Sequence, residues 1–218
     1  MKFLYKYPTR RRPEWFKKTL KTYYEMKGEL HPFEFVVSLD EDDETMNCDS
    51  MIQFMNSYPN LTYKFGNNKS KVQACNADME NLEWDILVLV SDDMIPVVKE
   101  FDNIIVEKMK EFFPDLDGAL HFYDGFQGDK KNCTLSIMGR KLYKRFGYIY
   151  HPAYKSFFCD REYTDEIYRM GKAVYFNQII IQHEWSGGPK STDALYRRNS
   201  MMGRKDRRTY KKRKALRC

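Results

Sequence analysis

Leu87–Pro96 reads LVLVSDDMIP, an apolar run that stops abruptly at two adjacent carboxylates. A bounded apolar run of this length predicts a strand buried on both faces. Carboxylates at the carboxyl end of such a strand stand where open α/β sheets bind their ligands. Asp92 and Asp93 are too close in sequence to ionise together without a compensating cation. A hard divalent ion, magnesium or manganese, bridging to phosphate oxygens would supply one. A solvated Asp-Asp turn that merely closes the strand is the alternative, so the rest of the chain has to decide.

Upstream, the sequence alternates strand and helix. Lys2–Tyr7 predicts a first strand ending at Pro8 and Thr9, and Pro13 suits the first turn of a helix carrying Trp15, Phe16, Leu20, Tyr23 and Tyr24 before Gly28. Phe35–Leu39 predicts a second strand running into Asp40-Glu41-Asp42-Asp43, followed by a helix through Met46, Met51, Ile52 and Met55. Leu61–Phe65 predicts a third strand, and Val72, Cys75 and Met79 a third helix. Ile86–Val90 is the fourth strand, with a helix through Phe101, Ile105, Met109 and Phe112 behind it. That alternation calls for a parallel, doubly wound sheet. Beyond Phe113 the texture changes. Ala119–Phe122 and Thr134–Met138 predict paired strands across the loop Asp124–Asn132, Thr164–Met170 a short helix stopped by Gly171, and Ala173–Gln182 late strand material.

The 218 residues suit one large domain, and 31% charged residues fit a folded, soluble chain. No apolar run approaches the roughly 20 residues that span a bilayer. The start of the chain shows no basic leader with an apolar segment, so a cytoplasmic protein is expected, and its Asn-x-Ser/Thr sites are expected to stay unglycosylated. Five scattered cysteines without CxxC spacing argue against a disulfide framework or a zinc site. The whole chain carries +6, but Leu195–Cys218 holds eleven basic residues against Asp206 alone, a net +10 that leaves −4 for everything before it.

Four features stand in order: Pro8-Thr9-Arg10 after strand one, an acidic cluster after strand two, a polar helix start before Asn76, and the Asp pair after strand four. In that order they resemble the GT-A glycosyltransferases, most closely the family-2-like members, over Lys2 to His183. The resemblance implies a GT-A fold: a mostly parallel central sheet flanked by helices, a mixed second half and a basic C-terminal helix. It divides the chain into a catalytic domain at 1–190, with nucleotide-binding (1–113) and acceptor-binding (114–190) halves, and a tail at 191–218. It implies transfer of a sugar from a nucleoside-diphosphate donor, uridine diphosphate by family preference, to a hydroxyl acceptor, with manganese or magnesium as cofactor.

The family's pattern carries over residue by residue. Pro8, Thr9, Arg10 and Arg12 match the turn that holds the nucleotide, with Arg12-Pro13 replacing the frequent Asn-Arg-Pro ending, and arginine suits bidentate phosphate contact. Asp40, with Asp42 second, matches the acid that reads base and ribose, although acids also favour a helix N-terminus. Lys71 and Asn76 fall where polar residues flank the nucleotide. The Asp-x-Asp metal motif corresponds to Ser91-Asp92-Asp93, so its first position is a serine; Asp93 is the expected ligand and Asp92 a ribose or metal contact. Cys159–Asp165 resembles the acidic segment over the acceptor site. There Asp160 and Glu162 are the candidate bases, and a Glu-Asp variant of the pattern would point to Glu162 and Asp165. His183 follows the late strand where a histidine often completes the metal site, and Trp185 beside it is an expected acceptor contact.

The tail predicts a helix through Asp193–Lys214, capped by Ser191 or Thr192 and charged nearly all round. Such a segment is either a solvated appendage or an electrostatic footprint for polyanions, DNA or an anionic membrane. Three readings of function follow. One is a transferase acting on a glycan or lipid-linked sugar at a membrane surface. Another is a transferase acting on hydroxylated DNA bases. The third is a non-enzymatic nucleic-acid-binding module, which leaves the ordered acidic motifs unexplained.

Overall fold

A computed structural model of the chain describes residues 1–126, 132–184, 197 and 200–217. The four predicted strands of the first half form as β1 (Phe3–Pro8), β2 (Phe33–Asp40), β3 (Leu61–Gly66) and β4 (Ile86–Leu89). They are mutually parallel, with β1 between β2 and β4 and β3 at the edge. β1, β2 and β4 are buried along nearly their whole length, which is why they read as apolar runs rather than alternating ones. Even Lys6, in the middle of β1, is fully buried, its ammonium donating to Ser38 of β2.

Helices cover both faces. α1 (Pro13–Met26), α2 (Asp49–Asn56) and α4 (Phe101–Phe112) put Phe16, Leu20, Met51, Phe101 and Ile105 against Phe3, Tyr5 and Tyr7. The other face of β1 and β4, Leu4, Leu87 and Leu89, packs with α3 (Lys71–Asn76), α5 (Arg140–Phe146) and α6 (Cys159–Arg169) through Val72, Leu142 and Ile167. Alternate side chains of one strand thus feed two cores.

The second half departs from simple pairing. β6 (Ala119–Phe122) and β7 (Ile137–Gly139) do pair, antiparallel, but β7 is the strand inserted beside β4, also antiparallel. The expected late strand is two strands. β8 (Ala173–Phe176) extends the main sheet parallel to β6, whereas β9 (Ile181–His183) leaves it to pair antiparallel with β5 (Met94–Pro96). That small ribbon sets Met94 opposite His183, so the end of the chain's second half returns to the Asp pair.

Predicted helix starts also shift. The helix expected from Thr164 begins at Cys159, and α5 was not anticipated. Of the predicted tail helix, α7 (Gly203–Ala215) is described, while Ser191, Thr192 and Asp193 lie outside the described residues. Cys48, Cys75, Cys133 and Cys159 are free thiols. Among the described residues no helix is long and apolar enough to cross a membrane.

Candidate active site

The parallel register brings the carboxyl ends of β1, β2 and β4 side by side, pairing Pro8 with Ser38 and Lys6 with Leu89. The turn leaving β1 holds Arg11 at φ 56, a left-handed backbone that costs a non-glycine residue about 1 kcal/mol or more. It is secured by the Arg11 amide, which donates to Asp43 Oδ2 at 2.6 Å. The turn sends its arginines in different directions. Arg10 is buried, and its guanidinium donates to Asp40 at 2.7 Å and to both carboxylate oxygens of Asp42 at 2.5 and 2.8 Å. Arg12 instead lies 3.9 Å from Asp93. Arg10 is therefore committed to the acidic cluster, and Arg12 is the arginine of the turn that faces the Asp pair. Asp40 Oδ1 is buried and has no hydrogen-bond partner among the described residues. An anionic acceptor left in that state is costly unless a ligand donor meets it.

Asp92 and Asp93 point apart. Asp92 is buried and accepts from the hydroxyls of Tyr7 at 3.0 Å and Thr9 at 2.9 Å, while Thr19 donates to its backbone carbonyl at 2.7 Å. Burial raises its pKa to about 7, against the pull of Arg12 and the two hydroxyls. Asp93 accepts from the Ser91 hydroxyl at 2.5 Å and lies 3.6 Å from His183 Nε2. Burial opposes its charge, yet His183, Ser91 and Lys71 together hold its carboxyl well below the ordinary carboxylate range. Ser91, the departure from the usual triplet, thus works as a support for Asp93.

His183 sits between two carboxylates. Its Nδ1 lies 3.5 Å from Asp124 Oδ2, slightly beyond a well-formed hydrogen bond, and Nε2 faces Asp93. Burial disfavours its cationic form, but Asp124 and Asp93 outweigh that and raise its pKa to about 9. Asp124 is itself fixed, accepting from the Phe126 amide at 2.8 Å and the Thr134 hydroxyl at 2.5 Å. Sequence reasoning did not single it out; its only signal was a place in a Gly- and Asp-rich loop. Among the described residues no group of three or more acidic, His or Cys side chains could hold a metal. Asp93 and His183 nonetheless offer one hard oxygen and one imidazole nitrogen side by side, 3.6 Å apart. That donor set fits an ion that takes its remaining ligands from substrate phosphates and water.

The other expected site residues divide. Lys71 is solvent-accessible at the first position of α3, and its charge helps to hold the Asp93 carboxyl ionised. Asp160 is half-buried in the first turn of α6. Asn76 serves as a brace: its Oδ1 accepts from the amides of Ile149 and Tyr150 at 2.9 and 3.0 Å, and its amide donates to the Tyr150 carbonyl at 2.6 Å. Glu162 is enclosed by Tyr154 at 2.5 Å, Arg213 at 2.8 Å and Arg217 at 3.4 Å. Asp165 accepts from the Tyr210 hydroxyl at 2.6 Å. Both acids thus face α7. Trp185 lies outside the described residues.

The basic helix is consequently docked on the body rather than free. Asp206 is fully buried and accepts from three successive amides, Lys155 at 3.0 Å, Ser156 at 2.8 Å and Phe157 at 2.9 Å, immediately before α6.

No protein-family model and no curated protein matches the chain. Solved structures do. The mannosyltransferase PcManGT from Pyrobaculum calidifontis, in complex with GDP-Man and Mn2+, superposes with a TM-score of 0.67 at 16% identity, over 86% of this chain and 57% of that one. S. aureus TarS 1-349 superposes with a TM-score of 0.65 at 17% identity, over 84% of this chain and 60% of that one. Its complex with UDP-GlcNAc gives the same TM-score of 0.65 over 86% of this chain and 62% of that one. The chain therefore spans about three fifths of these proteins' structures. With a parallel β3-β2-β1-β4 half, an antiparallel strand inserted beside it and a side ribbon returning to the Asp pair, the chain has the GT-A glycosyltransferase fold.

Proposed function

We propose that this chain is a metal-dependent, family-2-like glycosyltransferase that moves a sugar from a nucleoside-diphosphate donor to an acceptor hydroxyl with inversion. The observation that carries this reading is the meeting of Asp93, His183 and Arg12 at the carboxyl edge of the sheet. Manganese or magnesium held by Asp93 and His183 would supply positive charge at the departing diphosphate.

The chain's own groups do the rest. Arg12 and Lys71 bind phosphate oxygens and stabilise charge that grows as the sugar–phosphate bond breaks. Pro8 and Thr9 shape the turn, and Asp92, held by Tyr7 and Thr9, meets the ribose. Asp40 Oδ1 accepts an N–H from the base, which suits the ring imide of uracil and also the ring N1–H of guanine. Arg10 and Asp42 hold Asp40 in place for that contact.

On the acceptor side we assign Asp160 as the base. It takes the hydroxyl proton while the acceptor oxygen attacks the anomeric carbon, and the bonding pair leaves with the nucleoside diphosphate. Glu162 and Asp165 are spoken for by α7, whereas Asp160, half-buried in the first turn of α6, makes no hydrogen bond or ion pair with α7 among the described residues. In this reading residues 1–190 form the catalytic unit and Trp185 contacts the acceptor, a glycan or lipid-linked sugar at the cytoplasmic face of a membrane.

A screen of nucleotide sugars for manganese-dependent donor hydrolysis tests the proposal, with a glycan, a lipid-linked sugar and hydroxylated duplex DNA then offered as acceptors. Turnover of at least one donor that requires the metal and is lost in Asp93→Asn is expected. No donor consumed under any metal condition would overturn it.

A further inference from the structure

The two faces of α7 are chemically unlike. Its inner face is occupied: Asp206, Tyr210, Arg213 and Arg217 are committed to the 155–157 amides, Asp165, Glu162 and Glu166. Its outward stripe is Met201, Lys205, Arg208, Lys212 and Leu216, successive four- and three-residue steps that align on one side of a helix. Met201 just before α7 is 84% exposed and Leu216 at its end is 86% exposed. Both keep to the helical path: the Met201 amide donates to the Arg197 carbonyl, and Leu216 has φ −81 and ψ −10.

We infer that this stripe docks the protein onto an anionic lipid surface. Among the described residues Lys205, Arg208 and Lys212 make no ion pair with a carboxylate, and all three are exposed. Arg204 and Lys211 are exposed beside them and widen the cationic face. α7 has 13 residues and is therefore about 20 Å long, enough to lie flat across several headgroups. An interfacial helix of this kind keeps cations at the phosphate level and inserts apolar side chains beside them. Met201 and Leu216 favour lipid over nucleic acid, because a phosphodiester backbone offers an exposed apolar side chain nothing to enter. The remainder of the chain carries a net −4 and is repelled by the same surface, so the helix also sets the orientation. Because α7 is clamped to α6, a docked helix would hold the acceptor-side segment near the membrane.

The inference stands apart from the transferase reading, since its probe is a vesicle and its readout is partition. The full chain is floated with vesicles of phosphatidylcholine alone or mixed with phosphatidylglycerol, at low and high salt. Binding is expected only to the mixed vesicles and should weaken as salt rises. The variant K205Q/R208Q/K212Q is expected to bind about a hundredfold more weakly. Met201→Ser with Leu216→Ser is expected to weaken binding several-fold even at low salt, with unchanged thermal unfolding because both residues are exposed. Absence of binding to anionic vesicles at low salt would overturn the inference. So would duplex DNA stripping the protein from vesicles while the Met201 and Leu216 substitutions leave vesicle binding untouched, which would make nucleic acid the occupant.

Discussion

Arg213 closes on Glu162, with Nη2 2.8 Å from Oε1 and Nε 2.9 and 3.0 Å from the two carboxylate oxygens. With Tyr154 donating from the other side, Glu162 is a buried anchor between α6 and α7. Removing its charge should therefore be felt in stability. Glu162→Gln is expected to cost about 1–3 kcal/mol, because two arginines lose a buried partner. Asp160→Asn is expected to leave the melting temperature nearly unchanged and to lower kcat about 10²- to 10⁴-fold, the range for losing a general base. Calorimetry beside single-turnover sugar transfer separates the two. The reverse pattern would move the base to Glu162.

Asp124 is predicted to matter to the metal without touching it. By facing His183 Nδ1 at 3.5 Å it orients Nε2 toward Asp93. Carboxylates behind ligating histidines typically contribute 10- to 100-fold in metal affinity. Asp124→Asn should weaken manganese binding by about that factor, read from the free-ion signal in electron paramagnetic resonance. An unchanged affinity would remove Asp124 from the site.

Asp40 offers a test of base recognition. Its Oδ1 is buried without a partner among the described residues, while Oδ2 takes Arg10 at 2.7 Å. Asp40→Ala should weaken uridine diphosphate binding about tenfold or more, as expected when a charged hydrogen bond is lost. Titration calorimetry measures it, and equal affinity for the variant would place the base elsewhere.

One acid away from the site sets a pH dependence of stability. Asp117 is buried beneath Arg145 at 2.6 Å and Lys172 at 2.8 Å. The Arg145 hydrogen bond, followed by Lys172 and against the cost of burial, lowers its pKa from 3.8 to about 2. A depressed carboxyl stabilises the fold fully above its unfolded value and loses that contribution as pH falls through the folded one. Stability should thus drop by about 1–2 kcal/mol between about pH 4 and pH 2, since solvent screens the half-exposed Arg145. Asp117→Asn should flatten that segment of a denaturant-midpoint profile against pH.

The first half was legible because β1, β2 and β4 are buried on both faces, so each appears as a bounded apolar run, and the carboxylates that follow β2 and β4 stand out directly. The second half was less so. Ala173–Gln182 reads as one strand, yet β8 and β9 enter different sheets, and nothing local marks the change of partner. Asp160 and Glu162 share the first turn of one helix and could not be ranked from spacing alone. What separates them is Arg213, 51 residues further on, a contact that local pattern does not encode. The same holds for Asn76, whose polar side chain suggests a ligand contact but braces Ile149 and Tyr150 across 73 and 74 residues. The tail looked charged all round because Asp206, Arg213 and Arg217 are charged groups serving as interior ones.

In the proposed mechanism Asp93 and His183 grip a divalent ion that clasps the donor's diphosphate. Crystals soaked with a uridine-diphosphate sugar and manganese test it most directly, through anomalous scattering. A manganese peak touching Asp93 and His183 Nε2 is expected, with phosphate oxygens beside it and Arg12. A nucleotide ordered elsewhere, with both side chains turned to water, would contradict it.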